Sequence, residues 1–335
     1  MSEKGPFDGP REFLYVKPMG RRISEYEALN LYVLPLETSM DNPVAKSTGW
    51  PADTTALRSE NFYAFRDPAQ RWQRTHVKRQ AEQERAIERA MAAARQSGQL
   101  TRMAPAWAEG VIGDIYLPTA FFEHGLSRAL MHAAGIALSD MLMTAFIFNS
   151  SDKERHAQDI VFHHHDLGAA GVPVGADDRH QQWMENPVLQ GLRELAERIN
   201  ATPDWGEVAL VTNLLVEPLV GRFLFNELLW AGAGPHHDTT TPAILLEAEN
   251  DRQTNITAMS AFAELLLTDT AAGDHNRQVI EGWITQWYPL LARVIDSLAP
   301  VADRVGVDAV GARAAVEESW RSMLAGTRLG VPAEV

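Results

Sequence analysis

The sequence predicts an all-α protein with an extended N-terminal arm. Apolar residues recur at helical spacing in several long segments, and no alternating run or hairpin turn predicts a strand. The 335 residues are 45% hydrophobic and 22% charged, which is typical of a globular chain with a large core. We therefore expect an arm over residues 1–55 and a single helical domain over residues 56–335.

Charge and cysteine content exclude several classes of protein. A formal net charge of -14 without a basic stripe argues against nucleic acid as a partner. There is no N-terminal apolar segment of the signal-peptide type and no uninterrupted apolar run of about 18 residues, so no membrane span is expected. Zero cysteines exclude disulfides and thiolate metal sites. A cytoplasmic protein is predicted.

The arm contains six prolines and little helical periodicity, yet it is rich in apolar and aromatic residues such as Phe13, Tyr15, Tyr26 and Tyr32. A disordered tail would lack such residues. Two interpretations remain open: the arm packs on its own domain, or it reaches onto a partner subunit.

The first long helix is predicted from Pro68 to about Gly98, with Asp67 as its N-cap. Its apolar face is thin, so it rests either in solvent or on another chain. Further helices are predicted over residues 119–137, 139–168, 208–231, 242–269, 274–298 and 307–324, with a loop over residues 169–185. Ser139 and Thr241 are the expected caps of two of these helices, and Pro218 should kink a third or cause a local bulge.

The second of these helices contains an incomplete metal-ligand motif. A helix that binds a non-haem iron pair typically reads Asp-Glu-x-Arg-His, in which the Glu and the His lie one turn apart on one face. The corresponding stretch here is Asp152-Lys153-Glu154-Arg155-His156, where Lys153 replaces the ligand Glu and leaves His156 stranded. A cation at this position opposes a metal ion by charge and supplies no oxygen ligand.

A second incomplete copy is predicted about a hundred residues later, with Asn250 in place of the Glu and Gln253 in place of the His. Glu123 and Glu217, each flanked by apolar residues, lie about 30 residues before the two copies and match the isolated Glu positions of a ferritin-like bundle. We therefore predict a ferritin-like bundle with additional C-terminal helices and no catalytic, cofactor or metal site. Lys153 or Arg252 is expected to neutralise Glu123 or Glu217.

Four segments carry a resemblance to a known family: Asn61 to Gln83, Glu123-His-Gly-Leu, Asp152 to Gln158 and Glu217-Pro-Leu. Together they resemble the β subunit of the hydroxylase in bacterial multicomponent monooxygenases, which oxidise methane, propane, alkenes, toluene or phenol. The resemblance covers roughly residues 11–300, and the arm looks most like the propane and alkene branch.

The resemblance implies a structural subunit without an active site, which helps to oxidise small hydrocarbons with O2 and NAD(P)H. It implies an obligate α subunit that holds the di-iron centre, often a small γ subunit, and usually a second αβ unit. It also implies a reductase and a regulatory protein that act on the complex. We expect residues 11–66 to lie across the α subunit, with Phe62, Tyr63, Phe65 and Trp72 buried near that contact.

Other functions fit less well. His163, His164 and His165 cannot chelate one ion together because consecutive helical residues point about 100° apart. His156, Asp159 and His163 do share a face, so a zinc or nickel site, a helix-surface cluster and a subunit contact remain alternatives there. A terpenoid synthase fails because Ala258 stands where its second magnesium motif requires an acid. An aromatic monooxygenase subunit and a free-standing scaffold protein remain open.

Overall fold

The computed structural model describes residues 24–27, 53–59 and 61–330 of the chain. Most of the predicted arm, residues 1–55, therefore lies outside the described residues. Of its described part, Tyr26 is buried, and its hydroxyl oxygen accepts a hydrogen bond of 2.8 Å from the backbone N–H of Asp67. Glu25 forms an exposed ion pair with Arg74. These few residues thus pack on their own chain.

Helices account for the regular structure of the described residues, and no strand occurs among them. The long helices are α1 (Gln73–Gln96), α2 (Pro105–Trp107, continued by π-helical Ala108–Tyr116), α3 (Thr119–Ile136), α4 (Asp140–Ala169), α5 (Arg179–Glu185), α6 (Gln190–Ala201), α7 (Trp205–Val211, continued by π-helical Thr212–Trp230 and by Ala231–Ala233), α8 (Thr241–Leu267), α9 (Gly273–Ser297), α10 (Ala299–Val305) and α11 (Ala309–Gly326). Short 3-10 turns cover Phe62–Ala64, Leu100–Arg102, Pro187–Leu189 and Gly234–His236. The predicted all-α fold is confirmed.

The first helix begins later than the sequence suggested. Asp67 does not cap it; the Asp67 carboxylate instead accepts hydrogen bonds from the backbone N–H of Ala69 and from the guanidinium of Arg71. Gln70 then adopts a left-handed backbone conformation with φ 48°, which interrupts any helix that might start at Pro68. Helix α1 therefore begins at Gln73.

Four central helices form the bundle. Helices α3 and α4 pair as one hairpin, α7 and α8 pair as a second, and α4 packs on α8 across them. The segment Trp205–His236 is long and apolar enough to cross a membrane, but 94% of its most apolar window is buried inside this chain, as expected for a core helix. The C-terminal helices α9 and α11 pack against α7, which confirms the predicted additional C-terminal helices.

Pro218 lies within the π-helical part of α7, which agrees with the local distortion that the sequence predicted at this residue. Pro218 has no backbone N–H, so the carbonyl of Leu214 loses the partner it would have at α-helical spacing. The indole N–H of Trp320, which is 1% exposed, donates to this carbonyl at 2.8 Å. This hydrogen bond joins α11 to α7.

Four helices were not predicted: α2, α5, α6 and α10, of which α10 fills the gap left between residues 298 and 307. Helix α6 has a clear signal, since Leu192, Leu195 and Ile199 recur on one face and are buried. Helix α5 lies inside the segment that the sequence assigned to a loop, and Trp183 is its only buried residue. Helix α2 is mostly π-helical, and its spacing does not follow the 3.6-residue period.

Candidate functional site

Each of the four central helices contributes to one buried cluster of charged side chains. Glu123 comes from α3, Lys153 and His156 from α4, Glu217 from α7 and Arg252 from α8. All five are at most 5% exposed. We call these five residues the four-helix cluster. Burial of so many charges is stable only when they are paired.

The pairing within the four-helix cluster is close. The ammonium of Lys153 lies 3.2 Å from Glu123 Oε2 and 2.6 Å from Glu217 Oε1. Arg252 Nε donates to Glu217 Oε2 at 2.7 Å, and its guanidinium lies 5.3 Å from the centre of the Phe225 ring. The predicted neutralisation of Glu123 and Glu217 by Lys153 and Arg252 is therefore confirmed, and two cations balance two carboxylates.

The electrostatics keep the Glu123–Lys153 pair charged. Burial alone would raise the pKa of Glu123, but the charge of Lys153 and the neighbouring His156 outweigh it and bring this pKa to about 2. Burial likewise disfavours the Lys153 ammonium, yet Glu123 and Glu217 together raise its pKa above the ordinary value. The pair is therefore ionised at neutral pH.

His156 is not stranded, contrary to the expectation from the sequence. Its Nδ1 lies 3.3 Å from Glu123 Oε2, and its Nε2 lies 3.3 Å from the hydroxyl of Tyr116. Burial lowers the pKa of His156, and its ring lies between these two groups. Tyr116 was missed because it lies at the end of the π-helical part of α2, where no element was predicted.

The predicted register of the second motif is wrong. Asn250 and Gln253 lie on the exposed face of α8, where Glu249 accepts hydrogen bonds from Gln253 and Arg252. The buried face instead carries Arg252 and, three residues later, Asn255. Arg252 thus occupies the position on α8 that Lys153 occupies on α4. The sequence alone did not determine which face of α8 points toward the core.

A second layer of buried charges lies between α1, α4 and α8. Arg79 contacts Asp152 at 3.3 Å and Asp251 at 2.9 Å, and Arg155 contacts Asp251 at 2.6 Å. Arg71 donates to Asn255 Oδ1 at 2.6 Å, while Asn255 donates to Asp152 at 2.8 Å. The contacts of Arg79 attach the polar helix α1 to the bundle, which explains how it packs with so thin an apolar face.

The family model described as methane/phenol/alkene hydroxylase matches residues 44–270, more than half of the chain. The chain belongs to this family. Two relatives match most of its length. The propane 2-monooxygenase hydroxylase component small subunit of Rhodococcus jostii is 27% identical, over 100% of this chain and 94% of the relative. The methane monooxygenase component A beta chain of Methylosinus trichosporium is 26% identical, over 94% and 82%.

Solved structures agree on the fold. A chain of toluene 4-monooxygenase, determined with toluene in the resting active site, superimposes with a TM-score of 0.75. It is 23% identical, and the match covers 87% of this chain and 100% of that chain. At this identity, the likeness establishes only that this chain has the helical fold of the hydroxylase.

The four-helix cluster does not fit a pair of iron ions. A ferritin-like iron pair needs two isolated Glu residues and two Glu/His pairs. This family member supplies Glu123, Glu217 and His156, while the cations Lys153 and Arg252 stand at the other Glu positions. Among the described residues, no group of three or more His, Asp or Glu side chains has a geometry that could hold a metal ion.

The remaining histidines of α4 make separate contacts. His163 Nε2 lies 3.0 Å from the Thr241 hydroxyl, and His164 Nε2 lies 3.2 Å from the carbonyl of Val174. Asp159, on the same face as His156 and His163, is paired with Arg155 at 2.5 Å. The carboxylate that a metal site on this face would need is therefore already bound to a guanidinium.

The residues predicted near the α-subunit contact lie at the start of the described domain. Phe65 is 1% exposed and packs edge-on against Phe262, so its ring belongs to the core of its own chain. Phe62 contacts Trp205 at 5.6 Å between ring centres and is partly buried, as are Tyr63 and Trp72. Of the four residues predicted near this contact, Phe62, Tyr63 and Trp72 retain exposed surface that a partner could contact.

Proposed function

We propose that this chain is the non-catalytic β subunit of a hydroxylase in a multicomponent monooxygenase. In this proposal a larger α subunit holds the di-iron centre and the substrate cavity, and a reductase and a regulatory protein act on the assembly in the cytoplasm. The observation that carries the proposal is the four-helix cluster. Lys153 and Arg252 put positive charges at the Glu positions of the bundle, while the bundle itself is retained.

Full-length similarity supports the subunit role. The relatives from Rhodococcus jostii and Methylosinus trichosporium carry the names small subunit and beta chain of hydroxylases, and both are covered over most of their length. We propose a small hydrocarbon as the substrate of the assembled enzyme, by alkane hydroxylation or alkene epoxidation. The beta subunit of the toluene-4-monooxygenase hydroxylase of Ectopseudomonas mendocina is 25% identical, which favours an aromatic substrate as the second candidate.

Reconstitution tests this proposal. The chain would be co-expressed with the larger hydroxylase subunit that the proposal requires, purified, and supplied with the reductase, the regulatory protein and NADH. We expect turnover of propane or propene only when both hydroxylase subunits are present. Turnover by the larger subunit alone would refute the subunit role, and turnover of toluene but not propane would select the second candidate.

The arm is proposed to hold the α subunit. A chain that lacks residues 1–55 should lose co-purification with the larger subunit while it retains its helical circular dichroism, because the charged layers that hold the bundle together lie beyond residue 66. A truncated chain that still assembles into a fully active hydroxylase would show instead that the arm packs only on its own domain.

A further inference from the structure

An exposed aromatic residue stands on the outer face of α4. Phe162 is 63% exposed, and among the described residues it is the one aromatic side chain in the group of exposed large hydrophobic residues. It lies on a central helix of the bundle, six residues after His156, where most neighbours are buried. A single exposed apolar side chain needs no explanation, but one that joins other apolar side chains in a patch is typical of a surface that another molecule covers.

Grooves flank Phe162 on both sides. The first, of about 440 Å³, lies between α1, α4 and the start of α8, and Ile87, Met91 and Ile244 form part of its wall. The second, of about 240 Å³, lies between α3 and α4, and Phe121 and Val161 line it. Phe162 lines both grooves and therefore forms a ridge between them. A ridge between two grooves is the shape that helices pack against.

The first groove is acidic. Glu84, Glu88, Asp159 and Asp166 line it, and among the described residues neither Glu84 nor Glu88 has a cationic partner within 4.0 Å. Burial, only partly offset by Arg155, and the nearby carboxylate of Glu84 raise the pKa of Asp159 to about 7. His163, 2% exposed, lines the same groove, and its buried Nδ1 has no hydrogen-bond partner among the described residues. Arg95, the one cation in this lining, lies 3.8 Å from Asp166, so carboxylates outnumber guanidinium groups four to one. The groove is therefore net negative, and the described residues offer no hydrogen-bond partner to His163 Nδ1.

We propose that Phe162 and its two grooves form a docking surface for the larger hydroxylase subunit, which lays a helix beside Phe162 and places a Lys or Arg side chain in the acidic groove. The inference rests on the proposed function. Charge complementarity selects a basic side chain as the occupant. A second copy of this chain is disfavoured, because both surfaces would bring the same carboxylates together in a protein with a net charge of -14.

The absence of cysteine makes the surface directly testable. Because the chain contains no cysteine, Phe162→Cys introduces one thiol at the ridge, and Val310→Cys introduces one on α11, where Val310 is 80% exposed. The rate of maleimide labelling of this chain, read by mass spectrometry, would be compared in the isolated chain and in the co-purified complex. We expect labelling at position 162 to slow at least about ten-fold in the complex, while labelling at position 310 is unchanged.

Affinity supplies the second readout. Phe162→Ser and the double variant Glu84→Lys with Glu88→Lys should each raise the Kd for the larger subunit at least about ten-fold, with Val310→Ser as the unchanged control. These side chains are exposed, so the variants should retain the circular dichroism of the wild type.

The outcomes separate the two proposals. If the wild-type chain does not bind the larger subunit, the proposed function fails and the docking surface fails with it. If the complex forms but position 162 labels at the free rate, or both thiols are protected equally, only the docking surface is overturned. Protection of position 162 in the isolated chain, or only after the regulatory protein is added, would also overturn it, because the occupant would be a different molecule.

Discussion

The ammonium of Lys153 lies 2.6 Å from Glu217 Oε1 and 3.2 Å from Glu123 Oε2, so one cation joins carboxylates from two other helices. Arg252 holds the second oxygen of Glu217 at 2.7 Å. The bundle is thus held together at its centre by ion pairs at positions where a metal-binding relative would have ligands. Stability and metal binding should both depend on these side chains.

Removal of the Lys153 charge should strongly destabilise the fold. In Lys153→Met, Glu123 and Glu217 remain buried with one fewer counter-charge, and we expect the free energy of unfolding to fall by about 3–5 kcal/mol in denaturant titrations. Lys78→Met, on the exposed face of α1, is the control and should change it by less than about 0.5 kcal/mol.

A second substitution should rescue that variant. Lys153→Met combined with Glu123→Gln again leaves one cation for one carboxylate, so stability should recover by at least about 1 kcal/mol relative to Lys153→Met. If the double variant is less stable than Lys153→Met, the lysine acts through packing rather than through charge.

Gly221 leaves room for the Glu217 carboxylate. A Cβ atom at position 221 would lie 2.9 Å from Glu217 Oε2 and 3.5 Å from Arg252 Nε. Gly221→Ala should therefore reduce the free energy of unfolding by about 1–3 kcal/mol. Gly282→Ala, within α9 where a Cβ meets nothing within 4 Å, should instead increase it by about 0.5–1 kcal/mol. Equal effects at both sites would argue against a steric role for Gly221.

His76 should make the fold sensitive to acid. Burial and the charges of Arg79 and Arg71 lower the pKa of His76 to about 4, and its ring stacks on Phe148. A lowered pKa means that the unfolded chain binds the proton more tightly, so this stability is present above pH 6.5 and is lost as the pH falls towards 4. At pH 5 the loss is about 2 kcal/mol.

The comparison of wild type with His76→Gln isolates this effect. Asp152 and Asp159, whose pKa values burial raises to about 7, act in the opposite direction, because they favour the folded state at low pH. The drop in unfolding free energy between pH 7 and pH 5 should therefore be about 2 kcal/mol smaller in the variant than in the wild type. Identical drops in both proteins would exclude His76 as the source.

Local sequence patterns predicted most of the helices, whereas the side chains that point into the core of each helix pair could be identified only from the structure. Helices α3, α4 and α8 follow apolar periodicity, so their bounds agree with prediction within a few residues. The predicted caps are less accurate: Ser139 precedes α4 without a side-chain capping bond, and Thr241 is the first residue of α8 rather than its cap. The pairing of Lys153 with Glu123 and Glu217 was predictable because opposite charges on apolar faces must meet in a core. Which face of α8 points inward could not be predicted. Asn250 and Asp251 are adjacent polar residues, and a shift of the motif by one or two residues rotates a different side chain toward the core.

The second layer of buried charges, between α1, α4 and α8, also could not be predicted from the sequence. Arg79 lies among many charged residues of α1, and nothing local separates it from the exposed arginines. Its contacts with Asp152 and Asp251 span more than 70 and 170 residues. Such long-range pairs depend on how the bundle assembles, which no local pattern in the sequence reports.

The most direct test of the central claim is the iron content of the purified chain, expressed without its partner in iron-supplemented medium and measured by elemental analysis. The account predicts fewer than about 0.1 iron ions per chain for the wild type and for Lys153→Glu, because Arg252 keeps its guanidinium on Glu217 in both. About two iron ions per wild-type chain would contradict the account, because ion pairs and an iron pair cannot share these positions.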